Sequence, residues 1–277
     1  MKFIDTYDDI VAFFPDSGFD RSVWRVYAAK ISKELADKAE KDANGYDFCK
    51  EILPVVTAAV SDKAKLGMVH RSFQSVVRGL NCRFIEKFGI DIDVTVILYL
   101  GLCNGAGWAT TLDGKDTVLL GIEKIAELDW CGEESMRALI FHELGHIWHK
   151  TVGNFCIKAE EQSEKSILQL YQEGIAMFCE QILCGDESFY HQNKDGWLDW
   201  CLKNEKVLKR EFLRRLKQSE STQDFFGDWC GYRGHSDVGY FLGCRFIRRL
   251  SSQYTLTGLA NMNLSDLLLE FTRYAEK

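Results

Sequence analysis

The amino-acid sequence predicts an α+β fold in which helices dominate and a small β-sheet precedes the C-terminal helices. Apolar residues recur at helical spacing through most of the chain, and a β-branched run with a hairpin signal interrupts them between residues 93 and 122. With 277 residues, 46% of them hydrophobic, the chain can bury one large core or two small ones. We expect a helical N-terminal region over residues 1–90 and a second domain over residues 91–277, or one continuous globule.

The N-terminal region carries two apolar stripes that are typical of amphipathic helices. The residues of these stripes are Trp24, Tyr27, Ala28, Ile31 and Leu35 in the first, and Phe73, Val76, Val77 and Leu80 in the second. Residues 21–88 are therefore predicted to be helical.

The sheet is predicted from three short segments. Residues 93–100 are apolar and β-branched, which is typical of a buried strand. Residues 105–111 and 117–122 flank the turn signal Asp113-Gly114, which predicts a hairpin. Helical patterns follow at about 132–150, 163–184, 196–218, 237–252 and 265–276.

Composition restricts the classes of partner. A net charge of −7 argues against binding to nucleic acid or to an anionic membrane, since both need a basic face. We find no signal-peptide pattern and no apolar run long enough to span a membrane. The ten cysteines include no Cys-x-x-Cys pair, so we expect reduced, mostly buried thiols and a cytoplasmic protein.

The motif His-Glu-x-x-His at residues 142–146 predicts a metal site. Residues four apart share one helix face, so His142 and His146 can bind one Zn²⁺. Glu143 is rotated by about 100° around the helix axis. That rotation keeps it off the metal, but near enough to act as the base that activates a zinc-bound water.

This helix is predicted to be buried, because apolar residues surround the motif on most sides. Two imidazoles and a carboxylate are costly to bury unless a partner such as a metal ion satisfies them. Gly145 weakens a helix by about 1 kcal/mol relative to Ala, so we expect another element to approach closely there.

Glu173 is the favoured third ligand, because most of its neighbours are apolar and a buried carboxylate needs a cation. Its rivals are Glu160, Glu161 and Glu164, which lie in a charged run that is more typical of a solvated helix start. His149 lies about 10 Å along the helix from His142, too far to share one ion. We interpret it as a cation near the helix C-terminus.

His-Glu-Leu-Gly-His at 142–146, followed by Glu-Gly-Ile-Ala at 173–176, resembles the gluzincin branch of zinc peptidases, in particular predicted zinc-dependent protease families. The resemblance covers roughly residues 93–250. It implies a zincin-like metallopeptidase domain with Glu173 as third ligand, and an edge strand, placed at residues 107–111, that pairs with substrate. The sequence departs from thermolysin-type enzymes at Met177, where they carry an Asp that orients a ligand histidine.

A late segment rich in glycine, residues 231–243, is the candidate source of an oxyanion donor. Tyr240 is the first choice and His235 the second. A packed aromatic ring and a loop histidine are the alternative interpretations of these two residues.

The leading hypothesis is a zinc metallopeptidase acting on a peptide or protein substrate. One alternative is a regulatory anti-repressor-type protease with a single partner substrate, and another is a non-catalytic zincin-like binding protein. The sequence leaves the oligomeric state open.

Overall fold

The computed structural model describes residues 1–15, 18–227 and 230–276. Within them the chain forms two compact units, Met1–Glu143 and Leu144–Lys277. The predicted α+β, helix-dominated fold class is confirmed, since one four-stranded sheet accompanies thirteen described α-helices. No described helix is both long enough and apolar enough to cross a membrane.

The sheet belongs to the first unit and has the order β1-β2-β4-β3. Its strands are β1 (Lys2–Asp5), β2 (Thr95–Tyr99), β3 (Gly107–Leu112) and β4 (Lys115–Gly121). Strand β2 runs parallel to β1 and β4, whereas β3 and β4 form the predicted hairpin around Asp113-Gly114. Strand β1 was not predicted from the sequence, since its four residues are too few to establish a period of two.

Seven helices of the first unit follow the order of the chain. They are α1 (Tyr7–Phe13), α2 (Arg21–Ile31), α3 (Leu35–Asp42), α4 (Leu53–Ser61), α5 (Lys63–Val77), α6 (Leu80–Phe88) and α7 (Ile122–Glu127). The predicted stripe of α2 packs on the end of β2. There Trp24 Nε1 donates to the Leu100 carbonyl at 2.8 Å, and the Leu100 N–H donates to the Tyr27 hydroxyl at 2.8 Å.

Helix α8 (Glu133–Val152) is continuous through the division between the units. The other helices of the second unit are α9 (Gln162–Cys184), α10 (Trp197–Gln218), α11 (Val238–Leu250), α12 (Leu256–Ala260) and α13 (Leu264–Ala275). Helices α9 and α11 meet at two glycines. A Cβ on Gly174 would lie 2.6 Å from the Gly243 carbonyl, and one on Gly243 only 2.5 Å from the Leu170 carbonyl. Glycine at both positions therefore allows the two helix backbones to pack closely.

A buried carboxylate ties together the ends of β2 and β4. Glu123, in the first turn of α7, has no exposed surface, and its oxygens accept the N–H groups of Gly101 at 2.8 Å and Cys103 at 3.1 Å. A Cβ at Gly101 would lie 2.6 Å from Glu123 Oε1, so only glycine leaves room for the carboxylate. Burial raises the pKa of Glu123 to about 7, although the two backbone donors oppose the shift.

The raised pKa predicts how stability depends on pH. In the unfolded chain the pKa returns to 4.5, so this state loses its proton first and stability falls as pH rises from 4.5 to about 7. Relative to Glu123→Gln, the wild type should lose up to about 3 kcal/mol of unfolding free energy between pH 4 and 8. Urea unfolding at both pH values measures this difference. Glu127→Gln, which alters an exposed residue on the same helix, should keep the wild-type dependence of unfolding free energy on pH. If Glu123→Gln also kept that dependence, Glu123 would not be its source.

Candidate metal centre

Helix α8 carries the histidine pair. His142 and Glu143 are buried at 6% and 8% exposure, and the His146 side chain is 13% exposed. Because the helix is continuous from Glu133 to Val152, His142 lies one turn before His146 on the same face.

Helix α9 brings a carboxylate to this pair. A Cβ on Gly145 would lie 2.8 Å from the Cα of Ala176, so the two helix backbones touch there, which confirms the close approach expected at Gly145. One turn before Ala176, Glu173 projects from the same region of α9, and its Oε2 lies 3.4 Å from His146 Nε2. The Glu173 side chain is 19% exposed.

His142, His146 and Glu173 each offer one ligand atom, and the three atoms lie within 4.8 Å of one another. Ligand atoms arranged tetrahedrally around one zinc at about 2.0–2.2 Å lie about 3.3–3.6 Å apart. The three side chains, whose ligand atoms lie within 4.8 Å of one another, would therefore have to close on the ion by at most about 1.5 Å. Two imidazole nitrogens and a carboxylate oxygen also match the donors that zinc accepts at catalytic sites.

A second group shares His142. Ligand atoms of His142, Glu180 and His191 likewise lie within 4.8 Å of one another. Glu180 is fully buried on α9, and His191 Nδ1 lies 3.0 and 3.1 Å from its two oxygens. Neither Glu180 nor His191 was predicted from the sequence.

Glu180 is a candidate for the histidine-orienting carboxylate that is missing at Met177. Met177 is fully buried and cannot orient a histidine, whereas Glu180 places a carboxylate within reach of His142 and holds His191. Glu180 lies seven residues after Glu173, two turns along the same helix face, so the helical period could have revealed it. His191 lies in the connection before α10, where no period applies.

Glu143 is held against the hairpin. The N–H of Ala109 donates to Glu143 Oε2 at 2.8 Å. A Cβ on Gly107 would lie 2.6 Å from Glu143 Oε1, so glycine at that position lets the carboxylate approach the strand. Strand β3 is an edge strand of the sheet, as expected for residues 107–111.

The two candidate oxyanion donors lie in different surroundings. The ring of Tyr240 is 6.4 Å from the ring of His191, in an edge-on arrangement. The ring of His235 instead stacks on Trp200, with centroids 3.9 Å apart. Tyr240 therefore contacts a member of the second group, while His235 packs on α10.

The rival carboxylates cap a helix. Glu161 and Glu164 form a reciprocal capping box at the start of α9, and the Glu160 N–H donates to Glu164 at 2.8 Å. All three residues are at least partly exposed. Their interpretation as a solvated helix start is confirmed.

The interpretation of His149 as a cation is wrong. Its side chain is fully buried, and its ring packs edge-on against Phe155 at 5.3 Å and Tyr171 at 4.8 Å. Burial lowers the pKa of His149 to about 4, and the nearby His146 adds to the effect. Packing around the helix end outweighs the helix dipole here, so the ring is neutral at pH 7.

No protein-family model, no curated protein and no solved structure matches this chain. Similarity to known proteins therefore assigns no function to this chain.

The neutral His149 predicts an acid-sensitive fold. In the unfolded chain its pKa returns to 6.5, so this state takes up a proton first and stability falls as pH drops from 6.5 to about 4. Relative to His149→Leu, the wild type should lose up to about 3 kcal/mol of unfolding free energy over this interval.

Denaturant unfolding in the presence of a chelator measures this difference without a contribution from metal loss. His235→Gln, which alters a ring stacked on Trp200, should retain the wild-type change of unfolding free energy with pH. If His149→Leu showed the same change with pH as the wild type, His149 would not titrate in this range.

Proposed function

We propose that this chain is a zinc-dependent peptidase whose metal is held by His142, His146 and Glu173. The observation that supports it most is the convergence of these three ligand atoms within 4.8 Å of one another. His142 is nearly buried, and Glu173 is largely so. A divalent cation would offset the cost of burying such a set, which hydrophobic neighbours cannot do.

A zinc ion held there would supply Lewis-acid chemistry, polarising a carbonyl group and making water more acidic. The chain itself would then move the proton. Glu143 follows His142 directly on the helix, and its carboxylate is kept in place by the Ala109 N–H. In this proposal it accepts a proton from the attacking water and passes it to the leaving amine.

The edge of the sheet favours an extended peptide as substrate. Strand β3 lies at the sheet edge, and Glu143 contacts it at Ala109. A peptide lying along such an edge presents its backbone carbonyl groups in a regular row beside the strand. Glu143 would then stand next to the backbone of the substrate.

Tyr240 is the proposed donor to the oxyanion, in preference to His235. Its contact with the His191 ring associates it with the Glu180 pair, whereas His235 is occupied by Trp200.

All ten cysteines are free thiols, which supports a reducing compartment such as the cytoplasm for this activity.

Glu143→Gln tests the role of the base. The variant should keep wild-type zinc content, because Glu143 is outside the ligand set, and should lose at least about 100-fold in peptide hydrolysis. Elemental analysis and cleavage of a mixed peptide library provide the two measurements. Glu134→Gln, exposed in the first turn of the same helix, is the matched control and should change neither quantity.

Three outcomes separate the hypotheses. Unchanged cleavage by Glu143→Gln would reject Glu143 as the base. Zinc binding without cleavage of any library member or protein partner would favour the non-catalytic binding protein. Cleavage of a single protein partner alone would favour the regulatory protease.

Substituting the two carboxylates of α9 tests the ligand set. Glu173→Gln should weaken zinc binding by more than about 100-fold, because it removes a ligand. Glu180→Gln should weaken it by about 10- to 100-fold, as is typical for a residue that orients a ligand histidine. Competition with a chromophoric chelator measures both affinities, and Glu161→Gln in the capping box should have no effect. A larger loss of zinc affinity in Glu180→Gln than in Glu173→Gln would instead place the ion between His142, Glu180 and His191.

A further inference from the structure

A second concave site lies in the first unit, where the turn between α5 and α6 faces the start of α8. It is a cavity of about 300 Å³ with a mostly polar surface. Arg78 and Gly79 form the turn, and Arg83 and Arg137 reach the cavity from α6 and α8. Leu80 and Phe141 also border the cavity, but both are almost completely buried, so the surface open to a ligand is polar.

The charge of this cavity is positive, although the chain as a whole carries −7. Three guanidinium groups and one carboxylate, that of Glu133, line it, which leaves a formal charge of +2 (3 − 1). Within residues 1–15, 18–227 and 230–276, no ion pair or side-chain hydrogen bond engages Arg78, Arg83 or Arg137. By contrast, several arginines elsewhere are paired with carboxylates, such as Arg21, Arg25, Arg214, Arg215, Arg245, Arg248 and Arg273.

Three guanidinium groups around one cavity make its local field positive, which favours an anionic ligand. Arginine binds the oxygens of phosphate through paired N–H donors, which makes it the usual residue at phosphate sites. A phosphate monoester carries a charge of about −1.5 to −2 at neutral pH, which matches the +2 of the cavity. A volume of about 300 Å³ lies at the lower end for small-molecule pockets.

The backbone at the turn favours the same ligand. Helix α6 begins after Gly79, which has φ 74°, and no side chain caps its first turn. Its N-terminal N–H groups therefore add a favourable field for an anion to that of the arginines.

We propose that this cavity binds a small phosphorylated molecule, with its phosphate between Arg78, Arg83 and Arg137. The site is independent of the proposed metal centre, because none of the residues lining it is a proposed ligand or catalytic residue.

Isothermal titration of the full chain with inorganic phosphate and with phenyl phosphate tests this proposal. Both probes should bind with one site per chain, because they share the phosphate group that the three arginines would hold. Arg83→Gln and Arg137→Gln should each weaken binding at least about tenfold, since each removes a charge-assisted contact. The matched control, Arg210→Gln, removes an exposed arginine of α10 and should bind as the wild type does.

The titrations are repeated on chelator-treated protein, so that phosphate bound to a metal does not contribute. Persistence of binding without metal supports the cavity whether or not the chain is a peptidase. Absence of saturable binding, equal weakening by Arg210→Gln, or loss of binding on chelation would overturn the proposal. Binding of a single-stranded oligonucleotide far more tightly than phenyl phosphate would also overturn it, in favour of a nucleic-acid surface.

Discussion

Contact between helices α8 and α9 at Gly145 is the constraint on which the candidate metal centre depends. A Cβ at this position would lie 2.8 Å from the Cα of Ala176, so a larger residue would force the helices apart. Glu173 reaches His146 only because the two backbones are this close. Gly145 weakens α8 locally. It nevertheless allows the close helix contact that brings the Glu173 carboxylate to His146.

The same helix places its neighbouring residues in different roles. His142 is one of the candidate metal ligands, whereas Glu143, rotated by about 100° around the helix axis, accepts a hydrogen bond from the Ala109 N–H of strand β3. The glycine at 107 permits that contact, just as Gly145 permits the other. The surroundings of His146 and Glu143 on α8 therefore depend on close contacts at two glycines, Gly145 and Gly107. Glu180 adds a buried carboxylate that is hydrogen-bonded to His191 and lies within 4.8 Å of a ligand atom of His142.

Much of this arrangement could be predicted from local pattern. The boundaries of α8, α9, α10, α11 and α13 lie within two residues of the predicted ones, because each of these helices spans at least 12 residues and most of them are amphipathic. The spacing of His142, Glu143 and His146 specifies their relative placement as soon as the helix is recognised. Glu173 could be named because a carboxylate among apolar neighbours needs a cation.

Other features depend on packing that local pattern does not contain. His149 lies next to Lys150 at a helix end, which suggested exposure, but Phe155 and Tyr171 cover it completely. His191 reaches Glu180 from an irregular connection, and no periodicity places such a residue. The arginine cavity is similar, since Arg78, Arg83 and Arg137 come from separate elements and meet only in the fold.

The most direct test of the account is the position of the metal. Crystals of the protein grown with zinc would be measured on both sides of the zinc absorption edge, so that anomalous scattering locates the ion. The account predicts one peak at about 2.0–2.2 Å from a nitrogen of His142, a nitrogen of His146 and an oxygen of Glu173. A peak bonded to Glu180 and His191 instead, or no peak near helix α8, would contradict it.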